Sequence, residues 1–159
     1  MKRSGFTLIE LLIVVGIIAI LAAIAIPNFL LAQIRAKVSR ARSDMRTVAT
    51  ALETYLVDNN RYPFNVEYQG SNYTPDALTT PIAYITSIPY DPFKSGQQDD
   101  RLRRLEYHNV KQFVQEGTTN WPPTDLIRYG DWRLISYGPS QQYLPWMPYD
   151  PTNGTVSEG

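Results

Sequence analysis

Between Leu11 and Ile26 no residue carries a charge, and the 21 residues from Phe6 to Ile26 are almost wholly apolar, broken by Thr7, Glu10 and Gly16. As a helix this run is about 30 Å long, close to the thickness of a bilayer's hydrocarbon core. A helix of a soluble domain hides one face. A helix that is apolar all round has to be surrounded, by lipid or by other helices. Glu10 sharpens the constraint. A carboxylate at the edge of lipid is costly unless it is paired or reaches water.

Pro27 removes one backbone donor and crowds the carbonyl of Ala23, which bends or loosens a helix there without ending it. A second periodicity then begins. Ile34, Val38, Ala41, Met45, Val48, Leu52 and Tyr55 follow one another at spacings of 4, 3, 4, 3, 4 and 3, a narrow apolar seam along one helix face. Arg35, Arg40, Arg42, Arg46 and Glu53 occupy the other face. One rod from Phe6 to about Val57, on the order of 75–80 Å long, is expected, with its seam packed on the protein's own globular part rather than in a coiled coil.

Three readings fit the N-terminus taken locally. Met1–Gly5 is a short basic start, and Ala23-Ile24-Ala25 spells a secretory cleavage site, but Glu10 interrupts the apolar region of such a signal. A plain membrane anchor is the second. Lys2 and Arg3 precede the span and Arg35, Lys37, Arg40, Arg42 and Arg46 follow it, so simple charge counting leaves the large domain in the cytoplasm.

The third reading uses what the others leave unexplained. "KRSG" followed by "FTLIELLIVVGIIAILAAIAIP" closely resembles the type IV prepilin class III signal, in Gly5, Phe6, Thr7, Leu8, Glu10 and the apolar run to Pro27. The family comprises type IV pilins and the pseudopilins of type II secretion. The resemblance is strong over residues 2–35 and continues less specifically to about Pro63. It implies that a prepilin peptidase cuts between Gly5 and Phe6 and N-methylates the new amine of Phe6. The apolar helix then serves as inner-membrane anchor and later as filament core. The resemblance also implies an N-terminus in the cytoplasm and a head in the periplasm, against the charge count. Glu10 of one subunit would meet the Phe6 amine of a neighbour, Thr7 would help dock the helix start or simply cap the helix, and Pro27 would bend or locally melt the helix. The implied partners are a homo-oligomeric helical filament, prepilin peptidase, an inner-membrane assembly platform and membrane lipid.

The expected division is a leader at 1–5, a membrane and filament-core helix at 6–27, an amphipathic half at 28–58 and a β-rich head at 59–159. Residues 59–159 hold eleven of twelve prolines, ten of eleven tyrosines and all three tryptophans, the composition of a compact domain with short strands and many turns. Asn59, Asn60 and Pro63 end the helix. "TPDALTT" at 74–80 reads as a helical turn capped by Thr74, and "DDRLRR" at 99–104 as a solvated loop. "LEYHNV" at 105–110, "WRLISY" at 132–137 and "QYLPWM" at 142–147 read as strands. The fold class is therefore α+β, a long helix on a small antiparallel sheet. The order "LETYLVDNNRYP", "YITSIPYDPF", "YHNV", "WRLISYGPSQQ" loosely resembles the major pseudopilin of type II secretion. That family usually carries an acidic calcium loop near its C-terminus. Here the region offers only Asp150 and Glu158 as acidic groups; backbone carbonyls with Asp150 and Asn153 could hold calcium, but the ligand set is poor and plain turns are expected.

No catalytic constellation is present. His108 is the one histidine, there is no cysteine, and no phosphate-binding glycine motif or nucleophile elbow occurs. Fifteen basic residues balance fifteen acidic ones, so no nucleic-acid partner is expected. The function expected is that of a structural, non-enzymatic subunit without a cofactor, in a type II secretion pseudopilus or related type IV pilus-like filament. The alternatives are a type IV pilin for adhesion, motility or DNA uptake, and a single-span anchored or secreted binding module.

Overall fold

The computed structural model describes residues 6–117 and 122–141. One helix, α1 (Leu8–Asn59), runs for 52 residues and continues through Pro27. It ends where Asn60 turns into the left-handed region with φ 53°, a conformation asparagine tolerates better than most residues.

The seam foreseen on the second half of α1 is where the head packs. Val48, Ala51 and Leu52 join Leu78, Leu105 and Tyr107 in the main buried cluster, with Met45, Tyr55, Tyr62, Tyr84, Trp132 and Leu134 around it. Lower on the rod, Val38 and Ala41 pack on Phe93, flanked by Ile34 and Tyr137. Full burial of a leucine such as Leu52 contributes about 1.5–3 kcal/mol, so a few such contacts suffice to hold a small head on the rod.

The head is built from a tight hairpin, two paired strands and short helical turns. β1 (Glu67–Tyr68) and β2 (Ser71–Asn72) form the hairpin, closed by Gln69 and Gly70 at φ 50° and 79°. A 3-10 turn (Asp76–Leu78) and α2 (Asp100–Arg103) lead to β3 (Glu106–Asn109), then α3 (Val110–Gln115), α4 (Thr124–Tyr129) and β4 (Trp132–Ile135). β3 and β4 are antiparallel, with Glu106 opposite Ile135 and Asn109 opposite Trp132. Two of the three expected strands are thus in place; 142–147 lies outside the described residues.

Both faces of β3 are covered. Tyr107 points into the α1 cluster and its hydroxyl donates to the Pro63 carbonyl at 2.9 Å. Glu106 and His108, on the opposite face, are also buried. There Lys94 Nζ lies 3.2 Å from Glu106 Oε1 and 4.1 Å from the centre of the Tyr137 ring, and His108 Nε2 lies 3.6 Å from Glu106 Oε2. Asp91 next to it accepts from Phe93 N, Ser136 Oγ and Tyr137 N at 3.0, 2.8 and 2.8 Å. The polar cluster therefore fastens the turn at 91–94 to β3 and to the chain leaving β4. Burial acts to raise the Glu106 carboxyl, but the His108 hydrogen bond and the Lys94 charge outweigh it and hold the group below its ordinary value of 4.5. Burial also draws the Lys94 ammonium down, against the pull of the Glu106 and Asp91 carboxylates.

Two local expectations are corrected. Residues 99–104 are not a plain solvated loop: Asp99 caps α2 by accepting from Arg101 N at 2.8 Å, and Arg104 reaches the Thr74 carbonyl at 3.0 Å and Asp76 at 2.7 Å. Thr74 is not the cap of the 3-10 turn. Pro75 occupies that position, because the buried Thr74 hydroxyl donates instead to the Leu105 carbonyl at 2.9 Å. β4 alternates, with Trp132 and Leu134 toward the α1 cluster and the buried Ile135 on the other face.

Two outcomes follow for the detergent-solubilised chain. Leu52→Ala costs the head about 2–5 kcal/mol, read as a lowered denaturation midpoint in near-ultraviolet circular dichroism, whereas Ile17→Ala leaves that midpoint unchanged. Because the folded-state Glu106 carboxyl is lowered, its stabilisation is present above pH 4.5 and is lost as pH falls through its folded value. Glu106→Gln leaves Lys94 buried without its anion, costing about 3–5 kcal/mol at neutral pH, and flattens the acid limb of the stability–pH curve.

Candidate functional site

The apolar half of α1 has nothing over it. The helix is long and apolar enough to cross a membrane, and none of its most apolar stretch is buried. Leu8, Leu12, Ile20 and Ile24 expose 88, 74, 65 and 62% of their surface, an arrangement that water does not favour and that requires another surrounding. A side chain added at Gly16 would meet nothing within 4 Å, so the chain itself supplies no close partner there.

The start of this half is built around Thr7 and Glu10. Thr7, with φ −82° and ψ 151°, is the N-cap of α1. Its hydroxyl accepts from Glu10 N at 3.3 Å and donates to Glu10 Oε2 at 2.6 Å, and Thr7 N donates to the same oxygen at 2.9 Å. This is a reciprocal capping box: two helix-end donors are satisfied and the carboxylate sits at the positive end of the helix dipole. The spacing Thr7-x-x-Glu10 carries that motif, and of the two roles expected for Thr7 the structure shows the helix cap, here reciprocal with Glu10. Both Thr7 donors converge on Oε2. Among the described residues no donor reaches Oε1.

Phe6 precedes the helix and is 74% exposed. Gly5 lies outside the described residues, so the geometry of the Gly5–Phe6 junction does too. Pro27 lies within α1, and the Asn28 side chain donates to the Ile24 carbonyl at 3.0 Å, adding a donor one residue from the carbonyl that Pro27 leaves without its helical partner. The structure thus gathers Phe6, Thr7 and Glu10 at one end of the rod. It puts Pro27, 17 residues beyond Glu10, toward the far end of the uncovered stretch.

A second feature of the rod lies past the apolar run. Arg35, Lys37, Arg40, Arg42 and Arg46 are all exposed. Among the described residues only Arg40 of these has an ion-pair partner, Asp44 at 3.6 Å. No group of three or more metal-binding side chains occurs among the described residues, and Asp150 and Asn153 lie outside them. His108 sits inside the head, beside Glu106 and 6.1 Å from the Phe113 ring.

Two stretches of the chain match families of known proteins. Residues 1–26 match the family model of the prokaryotic N-terminal methylation motif, and residues 28–98 that of type II secretion system (T2SS) protein G. Type II secretion system core protein G of Pseudomonas aeruginosa is 33% identical over 132 residues, covering 81% of this chain and 84% of its own. The corresponding protein of Pectobacterium carotovorum subsp. carotovorum is 29% identical over 145 residues, covering 84% and 86%. Type IV major pilin protein PilA of Myxococcus xanthus is 51% identical over 146 residues, covering 77% of this chain and 64% of its own, so this chain spans less than two thirds of that relative. No solved structure matches. With a prepilin-type N-terminus, an uncovered apolar helix and a small head on its far half, the chain belongs to the type IV pilin-like family that includes the type II secretion pseudopilins.

Proposed function

We propose that this chain is a structural, non-enzymatic subunit of a type II secretion pseudopilus or a related type IV pilus-like filament. The observation that carries the reading is the uncovered apolar half of α1, headed by Glu10 in its capping box. Removal of residues 1–5 by prepilin peptidase creates an ammonium at Phe6, which the same enzyme methylates. Before assembly the helix is stored in the inner membrane as a single span, N-terminus in the cytoplasm and head in the periplasm. An assembly platform in that membrane then draws subunits into a helical homopolymer, whose core is residues 6–27 and whose outside is the head.

Glu10 gives the stack its register. Apolar helices slide past one another in lipid at little cost, whereas one subunit's Phe6 ammonium and its neighbour's Glu10 carboxylate attract by about 4 kcal/mol at 4 Å and an effective dielectric near 20. Pro27, where a helical hydrogen bond is missing, is the point at which α1 yields when the subunit leaves the membrane. A surface pilus for adhesion, motility or DNA uptake is the second reading, favoured by the 51% identity to the Myxococcus pilin. Deletion in the native host separates the two: a pseudopilin mutant retains enzymes normally secreted, and a pilin mutant loses surface fibres.

Intact-mass analysis of the protein from its native host is expected to show a chain beginning at Phe6 with one added methyl group. A start at Ile26 signifies ordinary secretion, and a start at Met1 a plain anchor; either overturns the reading. Glu10→Ala is expected to be cleaved normally and to yield few or no filaments in sheared fractions viewed by electron microscopy. Normal filaments from that variant would remove the role assigned to Glu10.

A further inference from the structure

The five exposed cations on α1 are left without a task by filament-core assembly. Their position along the rod suggests one. From Leu11 to Ile34, 24 residues carry no charge, a helix length of about 36 Å. A bilayer's hydrocarbon core takes up about 30 Å of this, and each head-group layer adds roughly 5–7 Å. With Glu10 at one boundary, Arg35 therefore arrives at the opposite head-group layer. Lys37 and Arg40 stand about 3 and 7.5 Å beyond Arg35, and Arg46 about 16 Å beyond it.

Three further observations bear on what these side chains meet. Side chains on a helix lean toward its N-terminus, so these guanidinium and ammonium groups lean toward the membrane, and their long stems lie along the rod while the charged ends seek a polar layer. The head covers only one side of this level, through Phe93 and Tyr137 on Ile34, Val38 and Ala41, and Arg35, Lys37 and Arg40 stay exposed beside it. The charge is also one-sided. Once residues 1–5 are gone, Lys2 and Arg3 go with them, and every basic residue near the span lies on the head side.

We propose that Arg35, Lys37 and Arg40 form a binding collar for the phosphate groups of anionic phospholipid in the leaflet on the head side. The collar fixes how far the stored subunit emerges and so keeps Glu10 at the opposite boundary. It also accounts for a basic segment on the side that charge counting disfavours: its cations are neutralised by lipid. The proposal rests on α1's first half being a membrane anchor. Phosphate suits these groups because guanidinium offers paired donors to its oxygens and ammonium a compact charge.

The test is lipid selectivity. The full chain is reconstituted into phosphatidylcholine vesicles containing phosphatidylglycerol, and the motionally restricted fraction of spin-labelled phosphatidylglycerol is compared with that of spin-labelled phosphatidylcholine. The native chain is expected to select the anionic lipid about fivefold for each engaged side chain at low salt, and to lose most of this at roughly 1 M salt. The variant carrying Arg35→Gln, Lys37→Gln and Arg40→Gln is expected to lose the preference while its head keeps native near-ultraviolet circular dichroism. Arg46→Gln removes one equal charge higher on the rod and is expected to keep the preference. Equal binding of the two lipids by the native chain overturns the proposal, as does a preference that survives the triple substitution or falls as far in Arg46→Gln. If the triple variant keeps its lipid preference but no longer polymerises, the collar is a contact for a second copy instead. A chain that fails to insert into vesicles at all refutes the membrane anchor itself, a result distinct from insertion without selectivity.

Discussion

The contact of Val48 and Leu52 with Leu78, Leu105 and Tyr107 is the joint on which the rest of the molecule depends. It divides one continuous helix into two halves with opposite needs. Past Ile34 the rod is half-covered, and its apolar seam is spent on the head. Before Ile34 the rod is bare, and its apolar surface remains available to lipid or to other helices. Since α1 is a single helix through Pro27, the head cannot take up a position without the apolar half taking one as well. For as long as α1 holds through Pro27, anything that orients one half orients the other.

Below this joint the head relies on polar atoms. Lys94, Glu106, His108 and Asp91 are buried together, with the Tyr137 ring against the ammonium. Such a cluster adds little net stability, because desolvation offsets most of the attraction. What it provides is geometric demand: a shift of the 91–94 turn, of β3 or of Ser136 and Tyr137 strands a buried charge. Phe93, held in that turn, is the residue that packs on Val38 and Ala41. The polar cluster thus fixes where the head's lower rim meets the rod, at the level of the basic collar.

The parts of this fold that could be read from sequence are those repeated over many residues. Seven seam positions at helical spacing outvote any local accident, and all seven contact the head. Asn60 was legible because few residue types accept positive φ. The misses are short or depend on distant partners. α3 and α4 have six residues each, less than two turns, so no period develops. The β1–β2 hairpin turns on Gln69-Gly70 rather than on the asparagine-glycine or aspartate-glycine pairs that announce such turns. Glu106 and His108 look like the wet face of a strand until Lys94 is brought beside them. At the candidate site the residue types were legible and their local bonding only partly so: Thr7 and Glu10 were singled out separately, while their reciprocal cap follows from a three-residue spacing.

That cap bears on how the proposed assembly contact can form. In the single chain the Glu10 carboxylate is never bare, since Thr7 supplies two donors to one of its oxygens. Those bonds hold the side chain over the helix start, in place for the pairing with a neighbour's amine proposed above. An ordered acceptor loses less entropy on pairing than a free one, so more of the Coulomb attraction survives as binding. In the proposed pairing Oε1 would take the amine while Oε2 stays on Thr7, so the helix start need not be unmade.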